Sequence, residues 1–306
     1  MIETRIQGLT YRLLRKPTDL NELERLFRES FSDDDIKGVF DRYVKWIDGS
    51  PSGSGVQLVA CDGEKIVSSL NFLRQTITGF GKSYTGFLAS TAMTAVEYRG
   101  KGIYKNLTRL AFKELPKYGG DFIFGYTIQE LVLRTEMKLG YTLIGDSAVL
   151  AFPLSPGKII QKLPYLNWLC TWISGIMNWA SRFYLRLKSS KIKGDNSIAV
   201  HEVNEFPKEI EFISETKKNI SQYEVLKDSV NLNWKYRDFF RTQEKHHFLI
   251  AKKNDRVVGW GVCGKMDMKG LNGLAILDAS AIPEFEEEIL AAIIKYQIHL
   301  NQNCNE

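Results

Sequence analysis

The stretch Phe87-Leu-Ala-Ser-Thr-Ala-Met-Thr-Ala-Val96-Glu97-Tyr98-Arg99-Gly100-Lys101-Gly102-Ile103-Tyr104-Lys105-Asn106-Leu107 decides the reading of this chain. It runs from an apolar, small-residue strand through a turn of glycines and cations into a helix. That order builds an anion site. The first turn of a helix carries N–H groups without intrahelical partners and the positive end of the dipole. Gly100 and Gly102 let the backbone approach a ligand closely, and Arg99 and Lys101 add charge. A phosphate or pyrophosphate is the natural guest.

Outward from this turn the first half reads as mixed α/β. Thr10–Leu14 is a short strand. Residues 20–31 and 34–47 have helical spacing, with Ser32-Asp33 as a capping start for the second helix. Residues 56–61 and 65–72 are strands joined through Asp62-Gly63, a hairpin signal. A second hairpin turns near residues 79–82 and leads into the strand that ends at Val96. The helix after Gly102 runs to about Leu115. Residues 121–126 form another strand, 129–139 a helix closed by Gly140, and 141–152 a further strand.

The C-terminal part repeats this plan. Without a gap, Val56-Gln-Leu-Val-Ala-Cys-Asp-Gly-Glu-Lys-Ile-Val-Ser-Ser-Leu aligns with His247-Phe-Leu-Ile-Ala-Lys-Lys-Asn-Asp-Arg-Val-Val-Gly-Trp-Gly. After a four-residue deletion in the next hairpin, Gly86-Phe-Leu-Ala-Ser-Thr lies on Gly273-Leu-Ala-Ile-Leu-Asp. On that register the residues 97–102 fall on Glu284-Phe285-Glu286-Glu287-Glu288-Ile289. The copy keeps a helix but lacks both glycines and reverses the charge. Its carboxylates suit the helix dipole but repel a phosphate by about 1 kcal/mol per close pair even in water. One working turn and one degenerate turn are expected. Gly259-Trp-Gly261-Val-Cys-Gly264 matches a dinucleotide-binding pattern by letter, yet it lies inside a strand with no helix following.

The composition narrows the field. The chain has 306 residues, 44% of them hydrophobic and 25% charged, enough for two folded domains. A net charge of +5 does not call for nucleic acid. Met1 to Pro17 carries four cations and no apolar run, so no signal peptide is expected. Cys61, Cys170, Cys263 and Cys304 make no CxxC pair and read as reduced thiols of a cytoplasmic protein without a metal site. The charge is uneven: residues 147–194 contain no acidic side chain but hold Lys158, Lys162, Arg182, Arg186, Lys188, Lys191 and Lys193. Within that window, residues 163–187 keep a helical apolar period flanked by Trp168, Trp172 and Trp179. Three readings fit: a helix buried between domains, a helix in a membrane interface, or a span. The expected division is 1–153, a basic tryptophan-rich linker over 154–196, and 197–306.

Arg99-Gly-Lys-Gly102-Ile-Tyr104 on a strand–turn–helix resembles the acetyl-CoA motif of the GNAT superfamily of N-acetyltransferases, R/Q-x-x-G-x-G/A. Lys138-Leu-Gly-Tyr141 is similar to the K-x-G-F/Y that closes the family's later helix. The resemblance covers residues 10–152 and, more weakly, 198–300. It is nearest to two-lobed bacterial members whose first lobe alone binds cofactor. It implies a mostly antiparallel mixed sheet with flanking helices, followed by a degenerate second lobe. It also implies acetyl-CoA as co-substrate, held by the backbone N–H groups of Gly100, Lys101, Gly102, Ile103 and Tyr104 with Arg99 beside them. Thr94, Ala95 and Val96 would pair with the pantetheine amides. The acyl group would sit where this strand and residues 121–126 splay, and an amine would attack the thioester directly in a ternary complex. The acceptor would be an aminosugar or other small metabolite, and the basic window adds an anionic membrane surface as a partner. Non-catalytic acyl-CoA binding is the alternative.

Two positions depart from the family pattern. Tyr104 replaces the motif's last small residue, so its side chain must point away from the phosphate. The family's general-acid tyrosine falls on Glu136, the candidate catalytic residue. A general-base glutamate of some members falls on Leu88. An alkylamine then loses its proton at a cost of about 4.6 kcal/mol at pH 7, with water, Ser90, Thr91 or Glu136 to help.

Overall fold

The computed structural model describes residues 3–31, 36–127, 129–145, 180, 197–217, 223–239, 246–268 and 271–303. It divides into two compact units, Met1–Ile144 with Lys218–Gln243, and Gly145–Lys217 with Glu244–Glu306. The expected lobe 197–306 is thus interrupted, because residues 218–243 belong with the first unit.

In the first unit, β1 (Thr4–Ile6), β2 (Leu9–Leu13), β3 (Val56–Asp62), β4 (Lys65–Gly79), β5 (Lys82–Thr94) and β6 (Phe122–Phe124) lie in that order in one sheet. Every pairing is antiparallel except β5–β6. The two-residue turn Phe80-Gly81 has φ of 53° and 72°, the left-handed pair that a tight hairpin requires. Both faces of the sheet are covered, so its strands read as almost continuous apolar runs. Val59, Ile66 and Leu73 pack with α1 (Leu20–Ser30) and α2 (Ile36–Asp48). Leu58, Val67 and Phe72 pack with α3 (Ile103–Glu114) on the opposite face. In α1, Leu23, Leu26 and Phe27 recur at helical spacing and are fully buried, each stabilising by about 1.5–3 kcal/mol. The Ser32-Asp33 cap lies outside the described residues.

The segment that returns from residues 218–243 is anchored twice. β8 (Glu224–Val225) pairs with β4 at Ile77 and Thr78. Trp234 stacks on Trp46 of α2 with centroids 4.7 Å apart and planes 5° off parallel. Each indole N–H donates to the other residue's carbonyl, at 3.1 and 2.9 Å. At the other end of the sheet, Arg12 holds Asp19 through two hydrogen bonds of 2.5 and 3.0 Å, and the Arg15 N–H adds a third at 2.7 Å.

Three expectations change. β4 extends to Gly79, well past Phe72, because its outer half alternates polar and apolar residues against β5. β5 stops at Thr94, and Val96–Tyr98 forms a short 3₁₀ turn. The strand expected over 141–152 is not formed at 141–145, and its remainder lies outside the described residues.

The second unit has a four-stranded sheet ordered β11 (Leu271–Ala281), β10 (Arg256–Met268), β9 (His247–Lys253), β7 (Ile198–Val203), with helix Glu286–Asn303. The repeat read from sequence reappears in two matching backbone bonds. Ala95 N–H donates to Val67 O at 2.9 Å, and the aligned Ile282 N–H donates to Val258 O at 3.0 Å. Tyr98 N–H to Ala95 O, 2.9 Å, is matched by Phe285 N–H to Ile282 O, 3.1 Å. A β-bulge interrupts the second hairpin in both copies, between Ser69 and Asn71 and between Val262 and Cys263. Gly259 and Gly261 serve packing: a Cβ on Gly259 would stand 2.6 Å from Ile289 Cγ2, and one on Gly261 2.9 Å from Ile293 Cδ1. The fold class is therefore a tandem α/β arrangement with a mostly antiparallel first sheet. Residues 154–196, including the tryptophan-rich stretch, lie outside the described residues except Ala180. No helix among the described residues is long and apolar enough to cross a membrane.

Candidate functional site

The first sheet opens beside its parallel pair. β5 and β6 are paired from Gly86↔Phe122 to Leu88↔Phe124, and the pairing ends there although β5 runs on to Thr94. Because Ala95 turns its N–H to β4, alternation directs the backbone groups of Thr94 away from β4, on the side of the gap. Thr94 O accepts from Arg99 Nε at 3.1 Å. Ala95 itself is buried and its N–H is committed to Val67 O, so of the expected strand Thr94–Val96 it does not face a ligand. Val96 is 69% exposed.

The turn then bends through two left-handed glycines, Gly100 at φ 76° and Gly102 at φ 72°. Gly102 is the N-cap of α3, and the first helical bond is Asn106 N–H to Gly102 O at 3.2 Å. The N–H groups of Ile103, Tyr104 and Lys105 precede it and point out of the helix start. A Cβ on either glycine would meet nothing within 4 Å. The glycines answer to backbone φ and to open space in front of the helix, not to packing. Lys101 lies with its ammonium 4.6 Å from the Tyr98 ring centre, and Tyr98 donates to Asp62 at 2.7 Å. Lys65 pairs with Glu97 at 3.0 Å. Arg99, Gly100, Lys101 and Gly102 are all exposed, so the turn presents two cations and a cluster of N–H groups to solvent.

Across the gap stands α4 (Glu130–Lys138), closed by Gly140 at φ 103°. Its Glu136 is 9% exposed and points into the fold. Tyr104, on the second residue of α3, donates its hydroxyl to Glu136 Oε1 at 2.6 Å. The Tyr104 side chain thus leaves the turn and reaches α4, which a small residue would not do. Burial pushes the Tyr104 hydroxyl far above its ordinary range, and the bond to the Glu136 carboxylate adds to the shift. Tyr141 is raised by burial and then by the charge of Glu136. Its Oη is buried and has no hydrogen-bond partner among the described residues.

Beneath the bulge lies a buried polar chain that the sequence reading did not single out. Gln57 Nε2 donates to Asn71 Oδ1 at 2.7 Å, and Asn71 Nδ2 bonds Tyr43 Oη and approaches Thr91 O at 3.5 Å. Thr91 holds φ 46°, an uncommon value for a non-glycine. Asn and Gln inside otherwise apolar strands were its signal. Leu88 packs against the α1–α2 core, and Ser90 Oγ is buried without a partner among the described residues. Among those residues no three His, Cys, Asp or Glu side chains gather as metal ligands.

Residues 10–144 match the family model of the acetyltransferase (GNAT) domain. Among curated proteins none matches this chain. A solved GCN5-related N-acetyltransferase from Anabaena variabilis superposes with a TM-score of 0.62 at 15% identity, over 95% of this chain and 63% of that one. A GCN5-related N-acetyltransferase from Kribbella flavida gives 0.53 at 13% identity, over 96% and 62%. The chain therefore spans less than two thirds of the length of either.

Proposed function

Because this protein belongs to the GNAT superfamily through residues 10–144, we propose that it moves an acetyl or other short acyl group from CoA to an amine by direct attack in a ternary complex. The acceptor is an aminosugar or another small amine metabolite. The observation that carries this reading is the turn itself. Two left-handed glycines, free helix-start N–H groups and two exposed cations stand at the end of the strand that parts from β6. Gly100 to Tyr104 hold the pyrophosphate through their N–H groups, with Arg99 and Lys101 beside them. Thr94 and Val96 lead the pantetheine into the gap. Holding thioester and amine together supplies much of the rate, and backbone N–H groups at the gap polarise the carbonyl.

Titration calorimetry with acetyl-CoA against ATP tests the binding step. Release of CoA with a panel of amines that includes glucosamine tests turnover. Tighter binding of ATP, or no acetyl-CoA binding, refutes the proposal. A second reading, a sensor that binds acyl-CoA without turnover, draws on Leu88, a partly buried aliphatic residue where some family members carry a general base. Tight acetyl-CoA binding with no CoA release across the panel would establish it.

A further inference from the structure

We propose that Tyr104 is a positioning residue that aims the Glu136 carboxylate at the sulfur end of the gap. That single carboxylate then carries the proton from the attacking nitrogen to the leaving thiolate. The inference rests on the acyl-CoA reading of the preceding section.

The geometry gives Glu136 one place to act. A Cβ built on Gly125 lies 4.0 Å from Glu136 Oε1, 3.8 Å from Ala89 Cβ and 4.0 Å from Ala89 O. Ala89 and Gly125 are the residues just beyond Leu88↔Phe124, the last bonded pair of β5 and β6. The carboxylate therefore flanks the point where the strands part. Gly125 has no side chain to stand between them. Tyr104 holds that same oxygen, Oε1, from α3 at 2.6 Å and so fixes it beside Gly125, and the second lone pair of Oε1 is left to accept a proton. Two titratable side chains face the group, Tyr104 from α3 and Tyr141 from the segment after α4. The Tyr104 hydroxyl, held protonated by burial and by the Glu136 carboxylate, is not itself the acid.

The step balances with no further reagent. The amine nitrogen forms a bond to the thioester carbon. The C–S bond breaks and leaves its electron pair on sulfur. The proton lost by nitrogen passes to the Glu136 carboxylate and on to sulfur. An amide and a thiol are released, and Glu136 ends as it began. One group, Glu136, thus does the work of a base that Leu88 cannot and of the acid that a tyrosine would supply.

The test needs no acceptor. Free CoA is bound at saturation to the wild type, Tyr104→Phe, Glu136→Gln and the double variant, and the thiolate's ultraviolet absorbance is followed against pH. A nearby carboxylate disfavours thiolate, so the wild type is expected to raise the thiol's titration above that of free CoA by on the order of one unit. Glu136→Gln is expected to return it to the free value. Tyr104→Phe is expected to move it part of the way, and the double variant to match Glu136→Gln, since the two side chains act as one unit. A Tyr104→Phe curve that superposes on the wild type overturns the positioning role while leaving the CoA site intact. A wild type that binds no CoA in calorimetry overturns both proposals. If Tyr104→Phe fails to fold, Glu136→Gln decides: a thiol titration still raised to the wild-type value refutes the inference.

Discussion

Gly102→Ala separates what the fold requires of the turn from what a ligand requires. At φ 72° an alanine adopts a left-handed conformation that costs roughly 1–2 kcal/mol, because its Cβ crowds the following carbonyl. No other cost arises in the protein alone, since the new Cβ meets nothing within 4 Å. Gly81, at the tip of the β4–β5 hairpin, is a matched control. It has φ 72° and equally open surroundings, and it lies outside the phosphate turn. Both variants are expected to lose the same stability in denaturant unfolding, about 1–2 kcal/mol. Their affinities for acetyl-CoA should part. At Gly102 the added methyl stands in front of the helix start and holds the pyrophosphate off the N–H groups of Ile103 and Tyr104. A hydrogen bond to a charged group contributes about 1.5–3 kcal/mol, so losing one weakens binding roughly 10- to 150-fold. Calorimetry should show that loss for Gly102→Ala and none for Gly81→Ala. Equal affinities for the two variants would refute the claim that this turn holds the phosphates.

The remaining predictions concern stability and surface. Asp19→Asn breaks the buried pair with Arg12 and is expected to cost about 3–5 kcal/mol at pH 7 by urea unfolding. Burial pushes the Asp19 carboxyl up, but hydrogen bonds from Arg12 and the Arg15 N–H, with their charges, hold it below the ordinary aspartate value of 3.8. Its folded value is depressed, so its contribution is complete above about 3.8 and is lost as pH falls through the folded value. The gap between wild type and Asp19→Asn should accordingly close in acid, and a gap that stays constant down to pH 2 would contradict this assignment. Gly259→Ala should destabilise the second unit by about 1–3 kcal/mol through the clash with Ile289, while Gly261→Ala costs less because only the Ile293 terminal methyl must turn. Equal melting temperatures for the two variants would count against the packing role. If residues 163–187 lie in a membrane interface rather than between domains, replacing Trp168, Trp172 and Trp179 together by alanine abolishes sedimentation with anionic liposomes; absent or unchanged sedimentation removes the membrane from the list of partners.

Local chemistry was legible in the sequence, and long-range choices were not. The turns at Gly63, Gly81, Gly100 and Gly102 could be placed because each needs a left-handed φ that its own residue type declares. The repeat was legible because strand alternation and turn spacing are local as well. The Tyr104–Glu136 bond joins residues 32 apart in sequence, and only the packing of α3 and α4 selects the rotamers that meet. The sequence could say that Tyr104 must leave the phosphate, not where it goes. The return of β8 and Trp234 to the first unit escaped for a similar reason. A two-residue strand carries almost no periodicity, and one indole finds its partner by stacking over a separation of 188 residues.

The two copies of the turn also tell frame from function. Both keep an aromatic residue three positions after the N–H that bonds back to the sheet, Tyr98 in one and Phe285 in the other. Each ring is met by the residue that ends the first strand of its hairpin. Asp62 accepts from the Tyr98 hydroxyl at 2.7 Å, and the Lys253 ammonium lies 3.9 Å from the Phe285 ring centre. That contact persists although its chemistry changes from hydrogen bond to cation–π, so it belongs to the frame. The next four residues do not persist. Arg99-Gly-Lys-Gly102 becomes Glu286-Glu-Glu-Ile289. Ile289 is 1% exposed and packs over Gly259, which fills the space that Gly102 leaves open. Three carboxylates at the start of that helix satisfy its dipole without a ligand. The same backbone therefore closes a helix start stably with acids and an isoleucine. The fold thus does not require Gly100 and Gly102, which is what the proposed phosphate-binding role of the turn expects. On the proposed function, one CoA per chain is the expected stoichiometry in calorimetry, and a second bound CoA would overturn the reading of the second helix start as closed by its own side chains.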